Sequence, residues 1–160
     1  MDVTSFKKLA EEEKVILHSD GIVVTARREW IIEGEDRLSY TTLIRLIECC
    51  REYHWQKDIL PLTSDKSVDS ICKILTCNFA NPISVGSLIF VKYQIISVRR
   101  RSYTIRFKVY DTKNDMLCAN CDMVCVFYDP RLQKSTFPPD PIIRALSCMW
   151  QQLGESRDEH

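Results

Sequence analysis

The chain has 160 residues, 45% of them hydrophobic and 28% charged, the length of one domain and the balance of a globular protein whose core needs no staples. Its 22 Lys plus Arg equal its 22 Asp plus Glu, a formal net charge of zero. No long-range field therefore draws it to nucleic acid or to an anionic membrane, and any anion site must be local.

The N-terminal MDVTSFKKLAEEEKVIL has neither the apolar segment of a signal peptide nor the acid-poor character of a transit peptide, and no run of about 18 apolar residues is present to span a membrane. A cytoplasmic protein is expected. Eight cysteines are a high count, and in a reducing cytosol they are expected as free thiols packing as small hydrophobes. The one CxxC, Cys118-Ala119-Asn120-Cys121, lacks a second pair and a well-spaced histidine to complete a zinc tetrahedron. On a strand, residues three apart also point to opposite faces. No metal is expected.

Residues 1–20 read as an N-terminal arm or short helix, polar with Phe6, Leu9, Val15 and Ile16 interspersed. GIVVTARREWII (21–32) opens on glycine, is rich in β-branched residues and predicts a strand. Within EGEDRLSYTTLIRLIECCREYHW (33–55), Leu43, Ile44, Leu46, Ile47, Cys50, Tyr53 and His54 recur at three- and four-residue steps. That spacing predicts a helix from Ser39 to Trp55, about 25 Å long. Pro61 and a polar cluster make 56–70 a loop. Four strands follow: ICKILTCNF (71–79), SLIFVKYQIISV (87–98), SYTIRFKVYD (102–111) and MLCANCDMVCVFYD (116–129), with the basic corner Arg99-Arg100-Arg101 between the middle two. Pro130, Pro138, Pro139 and Pro141 punctuate the return, and IIRALSCMWQQL (142–153) predicts a closing helix. Strand, long helix, then an antiparallel meander is an α+β layout with one helix against a curled sheet. A single domain over 1–160 is expected, with an arm to residue 20, a core over 21–140 and a C-terminal helix and tail over 141–160.

This order resembles the hot-dog fold, an antiparallel sheet wrapped around one long central helix. The finer pattern resembles the acyl-CoA thioesterases of the 4-hydroxybenzoyl-CoA thioesterase-like branch. In that branch a loop acid precedes a helix that carries an acid and, three residues on, often an arginine. Glu48 and Arg51 in YTTLIRLIECCREYHW match the helix pair, and counting back without a gap puts the loop acid on Glu33. PISVGSLIFV is similar to the family's proline-to-glycine turn into its third strand. VCVFYDPRLQKSTFPP is similar to its last strand, a basic residue (Lys134) and a closing proline. The family's loop acid is usually Asp with a Gly three residues later, whereas here Glu33 precedes Gly34 and Asp36. A short slip of the loop moves the role to Asp36. The Gly-His pair of many members is missing.

The resemblance implies hydrolysis of an acyl-CoA or acyl-carrier thioester by a homodimer or homotetramer, at a site between subunits. No cofactor is implied beyond the coenzyme A of the substrate. Glu33 or Asp36 would act as base or nucleophile, with Glu48 a second carboxylate candidate. Backbone amides at Tyr40, Thr41 and Thr42 would receive the oxyanion. Arg99, Arg100, Arg101 and Lys134 are candidate grips on the phosphates of coenzyme A.

Each group has a plainer reading. Acids before a helix stabilise it through its dipole, with Asp36 or Ser39 as N-cap. Glu48 is placed for an ion pair with Arg51, and a basic hairpin corner is commonly solvated surface. The aromatics near the arginines lack an RNP-like motif, so nucleic acid is not an expected partner. Without G-x-S-x-G the chain is not an α/β-hydrolase, and without a P-loop or G-x-G-x-x-G it is not built for nucleotide or dinucleotide chemistry. Two rivals share the fold. A hydratase or dehydratase needs a histidine with an acid, and His18, His54 and His160 offer no evident pair. A non-catalytic acyl-CoA-binding or assembly module needs no such group.

Overall fold

A computed structural model describes residues 16–18, 20–64 and 68–155, so the expected lead-in arm lies outside the described residues as far as residue 15. Among the described residues seven strands form one sheet: β1 (Ile16–His18), β2 (Gly21–Thr25), β3 (Asp69–Phe79), β4 (Leu88–Val98), β5 (Ser102–Asp111), β6 (Met116–Asp129) and β7 (Lys134–Ser135). Their order is β1-β2-β4-β5-β6-β3, with β7 pairing antiparallel to the end of β6. The described residues also form two α-helices, α1 (Tyr40–His54) and α2 (Asp140–Glu155).

The predicted strand over 21–32 stops at Thr25. Ala26 N donates to Ser87 O (2.8 Å) and Gly86 N to Ala26 O (2.9 Å), after which the chain coils into a 3₁₀ turn, Arg28–Trp30. Burial of the Trp30 indole, with Arg27 over its ring, outweighs the β propensity of the run. At the other end, Gly21 leaves no room for a Cβ against the Val91 carbonyl, which lets β2 and β4 close up at Gly21↔Lys92.

The predicted loop over 56–70 is also revised. Helical chain continues from α1 through a π-turn, Trp55–Ile59, and a 3₁₀ turn, Leu60–Leu62. Trp55 and Ile59 are buried and anchor it, and Pro61 sits in the first turn, where a missing N–H costs nothing. By contrast β5 and β6 have the predicted bounds, and the closing helix begins two residues earlier, at Asp140.

The described residues within Met1–Gln56, Cys77–Tyr93 and Phe107–Cys121 pack as one compact unit, and those within Lys57–Thr76, Gln94–Arg106 and Asp122–His160 as a second. In the first, Leu43, Leu46, Ile47 and Cys50 of α1 are buried along with Ile22, Val24, Ile89, Val91 and Phe107 of the strands, each large side chain contributing about 1.5–3 kcal/mol. The Cys50 thiol donates weakly to Val91 O at 3.5 Å, one point of contact between α1 and β4. In the second, Ile95, Tyr103, Ile105, Met123, Phe127, Ile142 and Leu146 are buried. Ser70 Oγ lies 3.0 Å from the Tyr103 hydroxyl, and Arg106 forks onto Asp122 at 2.7 and 2.8 Å.

Cys118 and Cys121 do not show the one-in, one-out burial that a strand exposed on one face would give them. Both are buried, because Cys118 and Ala119 are buried in succession and the alternation slips by one. Cys118 O accepts from both Ala80 N and Asn81 N at that slip. Burial raises the Cys118 thiol pKa. None of the eight cysteines is joined in a disulfide. Beyond the slip, the turn between β5 and β6 is organised by Asp111. Its carboxylate accepts from Ser87 Oγ (3.0 Å), Lys113 N (3.0 Å), Asn114 N (3.3 Å) and Asn114 Nδ2 (2.7 Å). Burial pushes its pKa up, but these hydrogen bonds together outweigh it and hold the carboxyl below its ordinary range.

Candidate active site

The stretch before α1 folds as a small hairpin. Ser39 N donates to Trp30 O (3.1 Å), Ile31 and Leu38 form an antiparallel bridge, and Ile32 N reaches Arg37 O (3.4 Å). Residues Glu33 to Asp36 are left as its tip. Gly34 turns it at φ +81°, a conformation that favours glycine, and Glu35 N closes it on Ile32 O (2.9 Å). Leu38 N ties the base to Ile83 O (2.8 Å).

Glu33 and Asp36 are both exposed and line one concavity of about 250 Å³ with Arg28, Ile32 and Val85. Glu35, between them, is ion-paired with Arg37. Among the described residues neither Glu33 nor Asp36 has an ion-pair partner.

Ser39 is the N-cap of α1. Its Oγ accepts from Thr42 N (3.1 Å) and lies 2.8 Å from Thr42 Oγ1. The Thr42 amide is thereby satisfied within the cap, whereas the amides of Tyr40 and Thr41 have no such bond among the described residues. The Tyr40 ring is stacked on Phe79 at the end of β3, centroids 4.3 Å apart, with the Arg37 guanidinium 5.0 Å from its centre. Tyr40 lines a second concavity, of about 260 Å³, with Leu38, Leu43, Phe79, Pro82 and Ile83. The tip acids and the helix start thus open on different concavities, Asp36 lying three residues, at most about 10 Å of extended chain, from Ser39.

Glu48 is engaged elsewhere. Arg51, buried, donates to Glu48 Oε1 from Nε (3.0 Å) and Nη2 (2.6 Å), and its Nη2 is 3.6 Å from Glu52 Oε2. A guanidinium withdrawn from water needs such carboxylates, so Glu48 has a structural task. His54 is fully buried with its ring 4.5 Å from that of Tyr93, a packed residue rather than a base open to substrate.

The basic candidates belong to the second unit. Arg99 N donates to Ser102 O (2.8 Å) and closes the β4–β5 turn. Arg100 and Arg101 place their guanidinium carbons 4.8 and 4.0 Å from the centre of the Phe137 ring. Arg99, Arg100, Phe137, Asp140 and Ile143 line a concavity of about 490 Å³. Lys134 is exposed on β7, opposite Asp129. Asp129 is held below its ordinary range by Arg131, against burial, with further bonds from the backbone of Arg131 and Leu132. Among the described residues no three His, Cys, Asp or Glu side chains gather to hold a metal ion, and no helix is long and apolar enough to cross a membrane.

Sequence reasoning did not single out Arg37 or Phe79. Arg37 follows the acid cluster and precedes the cap, which is the only local signal it carries, and Phe79 meets Tyr40 only through tertiary packing.

No protein-family model and no curated protein matches the sequence. Solved structures do match. A predicted thioesterase from Bacillus stearothermophilus is 22% identical with a TM-score of 0.71, the match covering 81% of this chain and 95% of that one. A 1,4-dihydroxy-2-naphthoyl-CoA thioesterase from Synechocystis is 11% identical with a TM-score of 0.67, over 80% and 95% of the two chains. A Thermus thermophilus thioesterase solved with coenzyme A and zinc is 15% identical with a TM-score of 0.68, over 82% and 94%. Likeness at such identities establishes architecture, and the architecture of this chain is the α+β hot-dog fold, an antiparallel sheet with the helix α1 following its first strands, shared with these thioesterases.

Proposed function

We propose that the protein hydrolyses acyl-CoA or acyl-carrier thioesters as a homodimer or homotetramer. The observation that carries this reading is the start of α1. There the amides of Tyr40 and Thr41, at the positive end of a 15-residue helix, stand beside an apolar cleft on a fold shared with thioesterases. A donor well aimed at an oxyanion is worth roughly 3–4 kcal/mol. Glu33 or Asp36 is the base or nucleophile, since Glu35 and Glu48 are held in ion pairs. Arg99, Arg100 and Arg101, a run of cations in a chain without net charge, bind the phosphates of coenzyme A together with Lys134. The chemistry requires no further cofactor.

The complete site lies between two copies in this reading. Within one chain the loop acids and the helix start line separate concavities. β3 is an edge strand of 11 residues, exposed along most of its length, with Ile71 41% and Ile74 52% accessible. Such an edge is a template for pairing with another chain. It ends at Phe79, against which Tyr40 is stacked, so a partner seated there arrives beside the helix start.

The same separation of acids from amides favours one rival, an acyl-CoA-binding module without turnover. Free-thiol release from a panel of acyl-CoAs, with melting temperature measured alongside, tests both. Release together with dimer or tetramer mass supports the hydrolase. A rise in melting temperature with acyl-CoA and no release supports the binding module.

A further inference from the structure

We propose that the cleft formed by Leu38, Tyr40, Leu43, Phe79, Pro82 and Ile83 is the acyl pocket of the protein, and that it takes a compact acyl group of no more than about eight carbons, counting roughly 30 Å³ per carbon, close to the share of one liquid water. The inference rests on the thioester reading and adds the substrate class to it. The cleft holds about 260 Å³, which by that count is filled by an octanoyl-sized group and is far too small for a palmitoyl chain.

Its walls suit an apolar guest. Leu38, Leu43 and Ile83 are buried hydrophobics that back the space, and Tyr40 supplies both a wall and the first helix amide. A carbonyl at those amides therefore has its acyl chain directed to the cleft that Tyr40 shares. The walls are also fixed in place. Leu38 N is bonded to Ile83 O, joining two sides. The Tyr40 ring is held by its stack on Phe79 and by Arg37, which is itself anchored to Glu35. Leu43 sits on the first turn of a capped helix. Walls so held keep the cleft's size, and because it opens to solvent a longer chain runs out of it and gains no further burial. Phe79 and the exposed Ala80, which also lines the cleft, mark its outer limit.

The test is calorimetric titration with S-alkyl thioethers of coenzyme A, chain lengths two to sixteen carbons, against the wild-type protein. The dissociation constant is expected to tighten about fourfold per carbon while the chain lies inside the cleft, as ~0.8 kcal/mol per buried methylene requires, and to level off near eight carbons. Phe79→Ala moves that break to longer chains, and Ala80→Phe moves it to shorter ones. Continued tightening through sixteen carbons, no dependence on length, or a break unmoved by both variants overturns the proposal. Thiol release from esters of the same lengths separates it from the hydrolase reading. A binding break without release keeps the pocket and removes the hydrolase, and release without a break does the reverse.

Discussion

Two acid-bearing turns of the first unit make opposite use of the same functional group. At the β5–β6 turn, Asp111 is buried and accepts four hydrogen bonds. At the tip before α1, Glu33 and Asp36 are exposed at the rim of a concavity, with no ion pair among the described residues. The first carboxylate holds a turn in shape, and the second pair stabilises little that the structure contains. A carboxylate that the fold does not use is available to a substrate, and the difference lies in the neighbours rather than in the residue type.

The largest effect that would break this comparison is on stability. Asp111→Ala strands the Ser87 hydroxyl and two backbone N–H groups, and is expected to lower unfolding free energy by about 3 kcal/mol in urea titration. Glu33→Gln and Asp36→Asn are expected to stay within about 0.5 kcal/mol of wild type in the same experiment, as surface changes do. Equal losses at both turns would erase the distinction.

Acidification gives a second, smaller contrast. The folded Asp111 carboxyl lies below its ordinary range, so the folded state binds its proton less readily than the unfolded chain does. Its stabilisation is complete above the unfolded value of about 4 and is lost as pH falls from there through the folded value. Asp129, depressed likewise, adds a slope of the same sign. Unfolding free energy measured from about pH 6 downward should therefore decline in that window, and Asp111→Asn should flatten the decline. An unchanged slope in that variant would assign the acid sensitivity elsewhere.

The smallest effect sharpens the picture of the helix start. Ser39→Ala removes the bond to Thr42 N and is expected to cost about 1 kcal/mol. It also releases a third amide beside those of Tyr40 and Thr41. Retained turnover with reduced melting temperature would show that the cap serves stability alone.

Much of this architecture was legible because local chemistry and tertiary packing agree. The bounds of β5 and β6 follow from alternation on either side of a polar turn whose Asp111 closes it. The start of α1 follows from Ser39 and the three-and-four spacing behind it. Prediction failed where packing overrode a local signal. The β-branched run past Thr25 gave way to burial of Trp30, and Pro61 fitted a helical first turn instead of marking a loop. At the site, the acid-rich tip and the engaged state of Glu48 were visible as residue types and spacing. That Glu35 pairs with Arg37, that Thr42 N is taken by the cap, and that Tyr40 meets Phe79 depend on contacts that spacing does not encode.

The most direct measurement sets the acids side by side: free-thiol release from short acyl-CoAs by wild type, Glu33→Gln, Asp36→Asn and Glu48→Gln, each confirmed folded. Turnover is expected to fall by about 10²-fold or more in one of the two loop variants, and to stay within a few fold of wild type in Glu48→Gln. Loss in Glu48→Gln alone, with both loop variants fully active, would contradict the account and move the chemistry from the unengaged tip onto the helix.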